Sequence, residues 1–254
     1  MTTEVLYVGD YKLQANQYLV GADTFQQFHR RVHDYEPLRD ALAAASGVEV
    51  EYMDSASAMT EFPRSVEALA AYDALVLSDL SRGTLEPHMH PDSVPGPNLL
   101  RIVREFVRAG GALVYCGGWM TYQGYQGVGN WAGTPVADVL PVAVRPVFDD
   151  RVERPEGATP EPTDRAADHP VTAAVGPLPD VYGYNRTGSV HDGATALATV
   201  DGDPLLAVDD VGDGRCVAYT SDPGPKWGYG MMEWDDYGRF WADAVRWATG
   251  GDAG

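Results

Sequence analysis

Short polar turns follow four of the apolar runs in this 254-residue chain. The turns are Gly9-Asp10, Ser78-Asp79, Gly117-Gly118-Trp119 and Ser221-Asp222. Their aspartates, Asp10, Asp79 and Asp222, are candidate acid–base groups, because a carboxylate held close to another has a raised pKa. The other turn residues are candidate ligand contacts through backbone N–H groups, hydroxyls and an indole ring: Gly9, Ser78, Gly117, Gly118, Trp119 and Ser221. Ordinary turns favour the same residue types, so only their combination predicts a shared cleft.

An aromatic and amide-rich stretch, residues 119–131, could bind a sugar-like or planar ligand. Aromatic faces stack on apolar ring faces, while amides orient hydroxyl groups. Tyr122 is its further candidate contact, and Lys226 and Trp227 are candidates at the rim of the same cleft. Lys226 is one of only two lysines and could hold an anionic group or pair with Asp222. The alternative for the stretch is a packed loop that covers the sheet edge or forms an oligomer contact.

Two pairs of histidines have a spacing that could bind a metal ion. His29 and His33 would share one face of a helix, and His88 and His90 could chelate an ion from a loop. No third ligand is evident beside either pair, so surface histidines are the better interpretation. We therefore expect no metal site and no cofactor.

Alternating strands and helices in the first half of the chain would bring the polar turns to one edge of a sheet. Apolar runs bounded by turn residues predict strands at residues 4–8, 48–53, 74–77 and 112–116. Helices are predicted between Pro37 and Gly47, with Asp34 as the candidate N-cap, near residues 66–70, and at residues 99–108. Such alternation predicts a parallel sheet, which binds ligands beyond the carboxyl ends of its strands.

The second half of the chain has a different pattern. Residues 140–148 alternate in polarity, and the Pro- and acid-rich residues 151–170 predict a long surface loop. Strands are predicted at residues 195–200 and 205–208, with a β-hairpin through residues 212–214 to a strand at 215–219 and an amphipathic helix at 237–247. With no repeat or change of composition, we expect one domain over residues 1–250 and a frayed tail at 251–254.

The composition restricts the partners and the compartment of the protein. Asp and Glu number 37 against 18 Lys and Arg, for a net charge of −19. This field repels nucleic acids and anionic membranes, so neither is an expected partner. Either a salt-rich (halophilic) cytosol or an acidic partner-binding surface explains the charge. Two cysteines, no long apolar run and no signal-peptide pattern predict a cytoplasmic protein.

Longer motifs extend over nearly the whole chain. They are Tyr7-Val-Gly-Asp10, Tyr72-Asp-Ala-Leu-Val-Leu-Ser-Asp79, Gly110-Gly-Ala-Leu-Val-Tyr-Cys-Gly-Gly118, Thr134-Pro-Val-Ala-Asp-Val-Leu-Pro-Val142, Asp149-Asp-Arg-Val-Glu-Arg-Pro-Glu-Gly157, Asp168-His-Pro170, and Tyr219-Thr-Ser-Asp222 followed by Lys226-Trp-Gly228. In these motifs the chain resembles the glutamine amidotransferase-like family, a branch of the class I glutamine amidotransferase-like superfamily. The resemblance implies a flavodoxin-like three-layer sandwich, an α/β fold with a mostly parallel sheet.

The family name implies a Cys-His-Glu triad, which this sequence does not complete. The nucleophile of true amidotransferases is the centre of a G-x-C-x-G elbow, and a later strand ends in an H-x-E motif. Here Cys116 lacks the first glycine, and we place the elbow one residue later, at Gly117. Only His169 and His191 follow Cys116, and neither comes after a strand in the required way. Cys116 is therefore an improbable nucleophile, and a buried strand residue is the better interpretation.

These observations favour a glutamine amidotransferase-like protein without glutaminase activity that binds a small polar ligand at the carboxyl edge of the sheet. One alternative is a hydrolase or lyase that acts on a carbohydrate-like or acidic metabolite through Asp10, Asp79 or Asp222. Another is a non-catalytic interaction protein that forms a homo-oligomer. The sequence identifies neither the ligand nor the oligomeric state.

Overall fold

The computed structural model describes residues 2–86 and 96–251, without the side chains of residues 26–31. The proposed metal pair at His88 and His90 and most of the predicted frayed tail lie outside the described residues. No helix among the described residues is long and apolar enough to cross a membrane.

The described chain alternates strands and helices in its first half. The strands are β1 (Thr3–Gly9), β2 (Tyr11–Val20), β3 (Asp23–His33), β4 (Val48–Met53), β5 (Ala74–Ser78), β6 (Ala112–Cys116), β7 (Arg151–Ala158), β8 (Glu161–Pro162), β9 (Val181–Asn185), β10 (Thr195–Val200), β11 (Asp203–Val211) and β12 (Gly214–Tyr219). The helices are α1 (Glu36–Ala44), α2 (Ser55–Glu61), α3 (Val66–Leu69), α4 (Arg82–Leu85), α5 (Leu99–Arg108), α6 (Tyr229–Met232) and α7 (Tyr237–Ala248).

Eight strands form one sheet in the order β4-β1-β5-β6-β12-β11-β10-β8. The first five of these strands are parallel to one another, and β11, β10 and β8 continue the sheet with antiparallel pairs. β5 and β6 are buried at every residue, as expected for central strands that are covered on both faces. The parallel strands direct the ends of β1, β5, β6 and β12 to one edge of the sheet.

Two hydrophobic cores lie on opposite faces of this sheet. One contains Leu38 and Leu42 of α1 with Phe240 and Trp241 of α7. The other contains the apolar face of α5, which includes Phe106, and residues of α2, α3 and α4. Helices therefore cover both faces, and the chain has the flavodoxin-like three-layer α/β fold that its sequence predicts.

The predicted helices form, but one predicted cap does not. α5 has the predicted bounds, and the Asn98 side chain caps it by accepting a hydrogen bond from the backbone N–H of Arg101 at 2.9 Å. Proline occupies the first turn of α1, as predicted. Asp34 does not cap α1, because the N-cap is Tyr35 and makes no side-chain capping bond. The carboxylate of Asp34 instead pairs with Lys12.

The second half contains the predicted hairpin and three strands that the sequence did not predict, β7, β8 and β9. β11 and β12 form the antiparallel hairpin, with Val211 opposite Gly214. The surface loop predicted at residues 151–170 is wrong in its first half, because β7 pairs there with β9. Residues 140–148 alternate in polarity without forming a strand, and only Val142 makes an isolated bridge.

A second hairpin, β2 and β3, extends from the end of β1, and we call residues 11–33 the arm. Among the described strands, β2 and β3 pair only with each other. Most of β2 is exposed. The helical arrangement considered for His29 and His33 is therefore wrong, because both residues lie in β3.

Candidate functional site

The three predicted aspartates meet at the carboxyl edge of the sheet. Asp10 follows β1, Asp79 follows β5, and Asp222 lies shortly after β12. A carboxylate oxygen of each lies within 4.8 Å of the others, and all three residues are buried. Because β1, β5 and β12 are parallel members of one sheet, their topology alone brings these distant residues together.

Tight backbone packing holds the first two aspartates in place. Gly9 has a φ of 124°, and a Cβ added there would lie 1.8 Å from the Ser78 carbonyl oxygen. Asp10 and Asp79 have φ angles of 49° and 41°, in the left-handed region that most L-residues avoid. Such conformations persist where the surrounding structure imposes them, and they are concentrated at functional sites.

A lysine from the arm neutralises part of this acidic cluster. Lys12 Nζ lies 2.5 Å from Asp79 Oδ2 and 3.3 Å from Asp34 Oδ2. Burial alone would lower the pKa of Lys12, but the carboxylates of Asp79 and Asp222 raise it above its usual value. The ammonium group therefore stays charged and acts as an internal counter-ion.

Burial shifts the acid–base behaviour of the other two carboxyls. It raises the pKa of Asp10 to about 6, with help from the charge of Asp79 and against the hydrogen bond that the Tyr7 hydroxyl donates to Asp10 Oδ2. Asp10 Oδ1 has no hydrogen-bond partner among the described residues. Burial, and then the charges of Asp10 and Asp79, raise the pKa of Asp222 well above its usual value. The cluster can thus hold a proton near neutral pH.

A cleft with a volume of about 1050 Å³ opens beside the cluster. Asp79 lines it, whereas Asp10 and Asp222 are not among its lining residues. The arm forms one wall of the cleft. The remaining lining includes the turn after β5, Trp119 and Met120, Pro225 and Lys226, and the acidic residues Asp34 and Glu36. Both lysines of the chain line this cleft, although the protein as a whole is strongly acidic.

Lys226 lies at the rim of the cleft, as predicted. Its side chain is 54% exposed, and its Nζ lies 4.0 Å from Asp34 Oδ2 and 5.7 Å from the centre of the Trp119 ring. The φ of Lys226 is 78°, an uncommon angle for a long side chain. Its ammonium group is well placed to meet a ligand, and the Asp222 pairing considered for it is replaced by Asp34.

The aromatic stretch contributes one exposed ring to the cleft. Trp119 is half-buried, lines the cleft and stacks against Tyr125, with ring centres 5.5 Å apart. The Arg151 guanidinium lies 4.4 Å from the centre of the Trp119 ring and 4.5 Å from that of Tyr125. Tyr122 is not available as predicted, because it is fully buried edge-on against Tyr115. Most of the stretch is therefore the packed loop of the alternative interpretation.

A buried carboxylate anchors this loop. Asp150 accepts hydrogen bonds from the backbone N–H groups of Gln123 and Gly124, at 2.8 and 2.9 Å, and from the Asn185 side chain at 2.9 Å. Asn185 in turn accepts a hydrogen bond from the Gly118 N–H at 2.9 Å. β9 and the Asp150 turn thereby fix the position of the Trp119 side of the cleft.

The predicted backbone donors are committed to internal hydrogen bonds. The Gly117 N–H donates to the carbonyl oxygens of Tyr219 and Ser221 at 2.7 and 2.9 Å, and the Ser221 hydroxyl donates to the Gly183 carbonyl at 2.7 Å. These glycines thus serve close packing: a Cβ on Gly117 would lie 2.2 Å from the Thr220 carbonyl oxygen. Ser78 is fully buried and does not line the cleft.

Trp227 does not lie at the rim of this cleft. Its indole is buried against Gly183, and its Nε1–H donates to Glu153 Oε2 at 2.9 Å. Trp227 lines a separate, shallower depression of about 490 Å³, to which Lys226 also contributes. The order of residues after Asp222 placed both side chains together, but consecutive side chains point in different directions.

Cys116 is the last residue of β6 and is fully buried, as the strand interpretation predicts. Burial, with the nearby charges of Asp10 and Asp222, raises the pKa of its thiol well above the usual value. Among the described histidines, His169 packs against Trp247, and none acts on Cys116. A thiol in this environment is a poor nucleophile.

Sequence reasoning missed three contributors to the site: Tyr7, Lys12 and Asp34. Tyr7 was placed only within a predicted strand and a family motif, without a role in the site. Lys12 lies at the start of the arm and Asp34 directly follows its end, and the arm was not predicted. One signal was available, because Lys12 and Lys226 are the only lysines in the chain.

Comparison with known proteins identifies the family. The family model for putative glutamine amidotransferases matches residues 4–250. No curated protein matches the chain. The cytoplasmic protein STM3548 from Salmonella typhimurium is 30% identical with a TM-score of 0.87, and the match covers 96% of this chain and 98% of that one. The cytoplasmic protein STM1381 from Salmonella typhimurium LT2 is 29% identical with a TM-score of 0.88, covering 97% and 99%.

A more distant solved structure shares the fold alone. It is a thua-like protein from Parabacteroides merdae ATCC 43184, which is 12% identical with a TM-score of 0.59. The match covers 100% of this chain and 92% of that protein. The family match, together with the two Salmonella structures, spans nearly every element described above. This chain therefore belongs to the glutamine amidotransferase-like family, as its motifs predicted.

Proposed function

We propose that the protein binds a small polar ligand with an anionic group in the cleft beside Asp79. The observation that carries this proposal is the placement of both lysines of a chain with net charge −19 in a single cleft. Lys12 is engaged by Asp79 and Asp34 at 2.5 and 3.3 Å, whereas Lys226 is 4.0 Å from Asp34 and more exposed. Lys226 is therefore the cation that an incoming anion meets.

The rest of the cleft suits a compact polar molecule. The exposed face of Trp119 offers a stacking surface, and Ser81 and Thr84 offer hydroxyl groups. The Ser81 and Thr84 hydroxyls are the acceptors for ligand hydroxyl groups, since the Asp79 side chain is fully buried behind Lys12 and its Oδ1 accepts a hydrogen bond from the Met120 N–H at 2.6 Å. A sugar acid or a hydroxy acid combines an anionic group with such hydroxyls.

The proposed setting is the cytoplasm, with the ligand-binding unit extending over residues 1–250. The two Salmonella proteins that are similar over nearly their whole length are named as cytoplasmic proteins. Both cysteines of this chain are free and buried, which suits a reducing compartment. The acidic charge supports neither nucleic acid nor an anionic membrane as a partner.

A binding screen tests this function directly. The probes are inorganic phosphate, malonate, gluconate and the neutral sugar glucose, and the readouts are thermal stabilisation and isothermal titration calorimetry. We expect an anionic probe to bind more tightly than glucose. We expect Lys226→Met to weaken that binding about tenfold, because about 1.4 kcal/mol is a modest value for one charge-assisted contact.

The control replaces a cation that lies far from the cleft. Arg108 is a suitable choice, because it is exposed at the C-terminal end of α5, away from the carboxyl edge of the sheet, and Arg108→Met lowers the net charge by the same amount as Lys226→Met. If both variants weaken binding of the anionic probe equally, the loss reflects the net charge of the protein and not a contact with Lys226. If Lys226→Met binds the anionic probe as tightly as the wild-type protein does, the ligand does not bind in this cleft.

A second candidate function is hydrolysis or elimination on the bound ligand. It is favoured by Asp10, whose pKa of about 6 leaves it partly protonated near neutral pH behind the ion-paired Asp79. Two neighbouring carboxyls in unequal environments are the usual arrangement for paired acid–base roles. The Asp79 side chain is fully buried behind Lys12, so in this candidate Lys12 moves aside when the substrate binds. Asp79 then contacts the substrate, and Asp10 acts through it as a positioning residue.

Kinetics would separate this candidate from simple binding. With a substrate found by screening, Asp79→Asn should lower the rate on the order of 100-fold or more, as loss of an acid–base group does. Asp10→Asn should instead displace the pH profile while retaining activity. Asp192→Asn, at an exposed turn, is the control. Full activity in Asp79→Asn would exclude the acid–base role.

A further inference from the structure

The arm has an apolar end that the other described residues of its chain leave exposed. Ten large apolar side chains are exposed among the described residues, and five of them lie on the arm. Leu13 lies near its base, and Tyr18, Leu19, Val20 and Phe25 lie near its turn. Leu19 is 78% exposed, and the Tyr18 and Phe25 rings stack on each other with centres 4.9 Å apart. A two-stranded hairpin without further packing is marginally stable in water, so this surface calls for a partner.

The charge of the arm indicates which kind of surface receives it. Lys12 pairs with Asp79 and Asp34 of its own chain, and the other charged residues of the arm, Arg30 and Arg31 against Asp23, leave it a net charge of +1 for a partner to meet. The residues outside the arm carry a net charge of −21, compared with −19 for the whole chain. A cationic, apolar arm complements the acidic body of the same protein and repels another arm.

The body has an apolar groove with an acidic rim that matches the arm. The groove has a volume of about 590 Å³ and lies beside β8 and β10. Its lining is mainly apolar: Pro160, Pro162, Ala166, Ala167, Val175, Pro177, Leu178, Leu197 and Ala198. Asp164 also lines it, and Glu161 and Asp168 are exposed nearby in the chain.

We propose that the arm of one protomer docks in this groove on a second copy of the chain, and that reciprocal exchange closes a dimer. Apolar side chains from the end of the arm enter the groove. Reciprocal contacts of this kind generate a closed twofold assembly.

Such docking would also stabilise the ligand cleft. The base of the arm supplies Lys12 to Asp79 and lines one wall of the cleft with Tyr11, Leu13 and His33. An arm held at its far end by a partner fixes these residues more firmly than a free hairpin does. Self-association and the ordering of the cleft are therefore expected to change together.

The first test measures molar mass by light scattering over a concentration series. We expect a dimer for the wild-type protein and a shift to monomer for Leu19→Asp. Phe148→Asp is the matched control, because Phe148 is equally exposed, at 74%, but lies outside the arm. A monomeric wild-type protein at every concentration, or a dimer that persists in Leu19→Asp, would overturn the proposal.

The groove side is tested by charge reversal. Asp164→Arg should raise the dissociation constant of the dimer about tenfold or more, while Asp192→Arg at an exposed turn should leave it unchanged. If the two charge reversals change the dissociation constant of the dimer equally, the arm does not dock in this groove. If Leu19→Asp does not fold, Leu19→Ser takes its place. Thermal unfolding verifies that the variant is folded.

Engineered cysteines distinguish the two ways in which an arm can find a partner. The native cysteines are buried, so a cysteine placed on the surface reacts selectively. A mixture of Leu19→Cys and Ala167→Cys proteins should form a mixed disulfide under mild oxidation. A disulfide between two Leu19→Cys protomers, with none to Ala167→Cys, would show arms pairing with each other and would contradict docking in the groove.

Discussion

Asp10 offers the sharpest prediction at the scale of single residues. Its pKa is raised from 3.8 to about 6 in the folded protein, so the folded state holds its proton more tightly than the unfolded state does. The stabilisation from this proton is complete below pH 4 and is lost as the pH rises through about 6. The linked change is at most on the order of 3 kcal/mol, since one pKa unit corresponds to about 1.4 kcal/mol.

Replacing Asp10 by Asn removes this titration. The wild-type protein should therefore lose stability relative to Asp10→Asn as the pH rises from 4 to 7. The free energy of unfolding of the variant, minus that of the wild-type protein, should increase over this range. Urea unfolding at a series of pH values measures the difference, in which the titration of carboxyls outside the Asp10, Asp79 and Asp222 cluster cancels. A difference that is constant over this range would contradict the raised pKa.

The aspartates of the site could be predicted from the sequence because each follows a strand. Once Asp10, Asp79 and Asp222 are placed after parallel strands, the sheet brings them to one edge whatever their separation along the chain. Lys12 could not be placed in this way, because its approach to Asp79 depends on the path of the arm. Tyr122 and Trp227 failed because proximity in sequence does not fix the direction of a side chain.

At the scale of elements, the packing of the β1 turn against the end of β5 determines whether the site forms. Gly9→Ala places a Cβ 1.8 Å from the Ser78 carbonyl oxygen, at a φ of 124°. We expect a loss of stability on the order of 3 kcal/mol or more, because the obstructing atom belongs to the backbone and cannot rotate away.

A second glycine separates the clash from the cost of the backbone angle. Gly193 has a φ of 95° and no atom within 4 Å of an added Cβ, so Gly193→Ala measures strain alone. About 1 kcal/mol is expected for this control. Chemical unfolding of both variants gives the comparison, and similar losses would mean that the turns of β1 and β5 can move apart.

Element prediction succeeded where hydrophobic contrast was strong. α5 has apolar residues on one face and charged residues on the other, and its bounds are as predicted. β2 was missed because it is exposed along most of its length and has no buried face to produce alternation. β7 was missed because its charged residues and Pro155 are not typical of a strand. Among the described strands it pairs only with β9.

At the scale of the whole molecule, the net charge of −19 makes stability depend on salt. Like charges crowd together on folding, and the resulting repulsion weakens as ions screen it. The Debye length falls from about 10 Å at 0.1 M salt to about 3 Å at 1 M, so most of this relief comes before molar concentrations. If the surface is adapted to a salt-rich cytosol, the melting temperature should rise steeply in this range and then level off.

The partly buried ion pair between Lys12 and Asp79 should contribute little to this dependence on salt. Salt weakens exposed ion pairs but screens a buried pair much less, so the site should not counteract the gain at the surface. Melting temperatures in KCl and NaCl should rise equally, because screening depends on ionic strength and not on the identity of the cation. A rise with one cation alone would indicate a specific ion site, and a flat or falling curve would favour the acidic partner-binding surface over adaptation to salt.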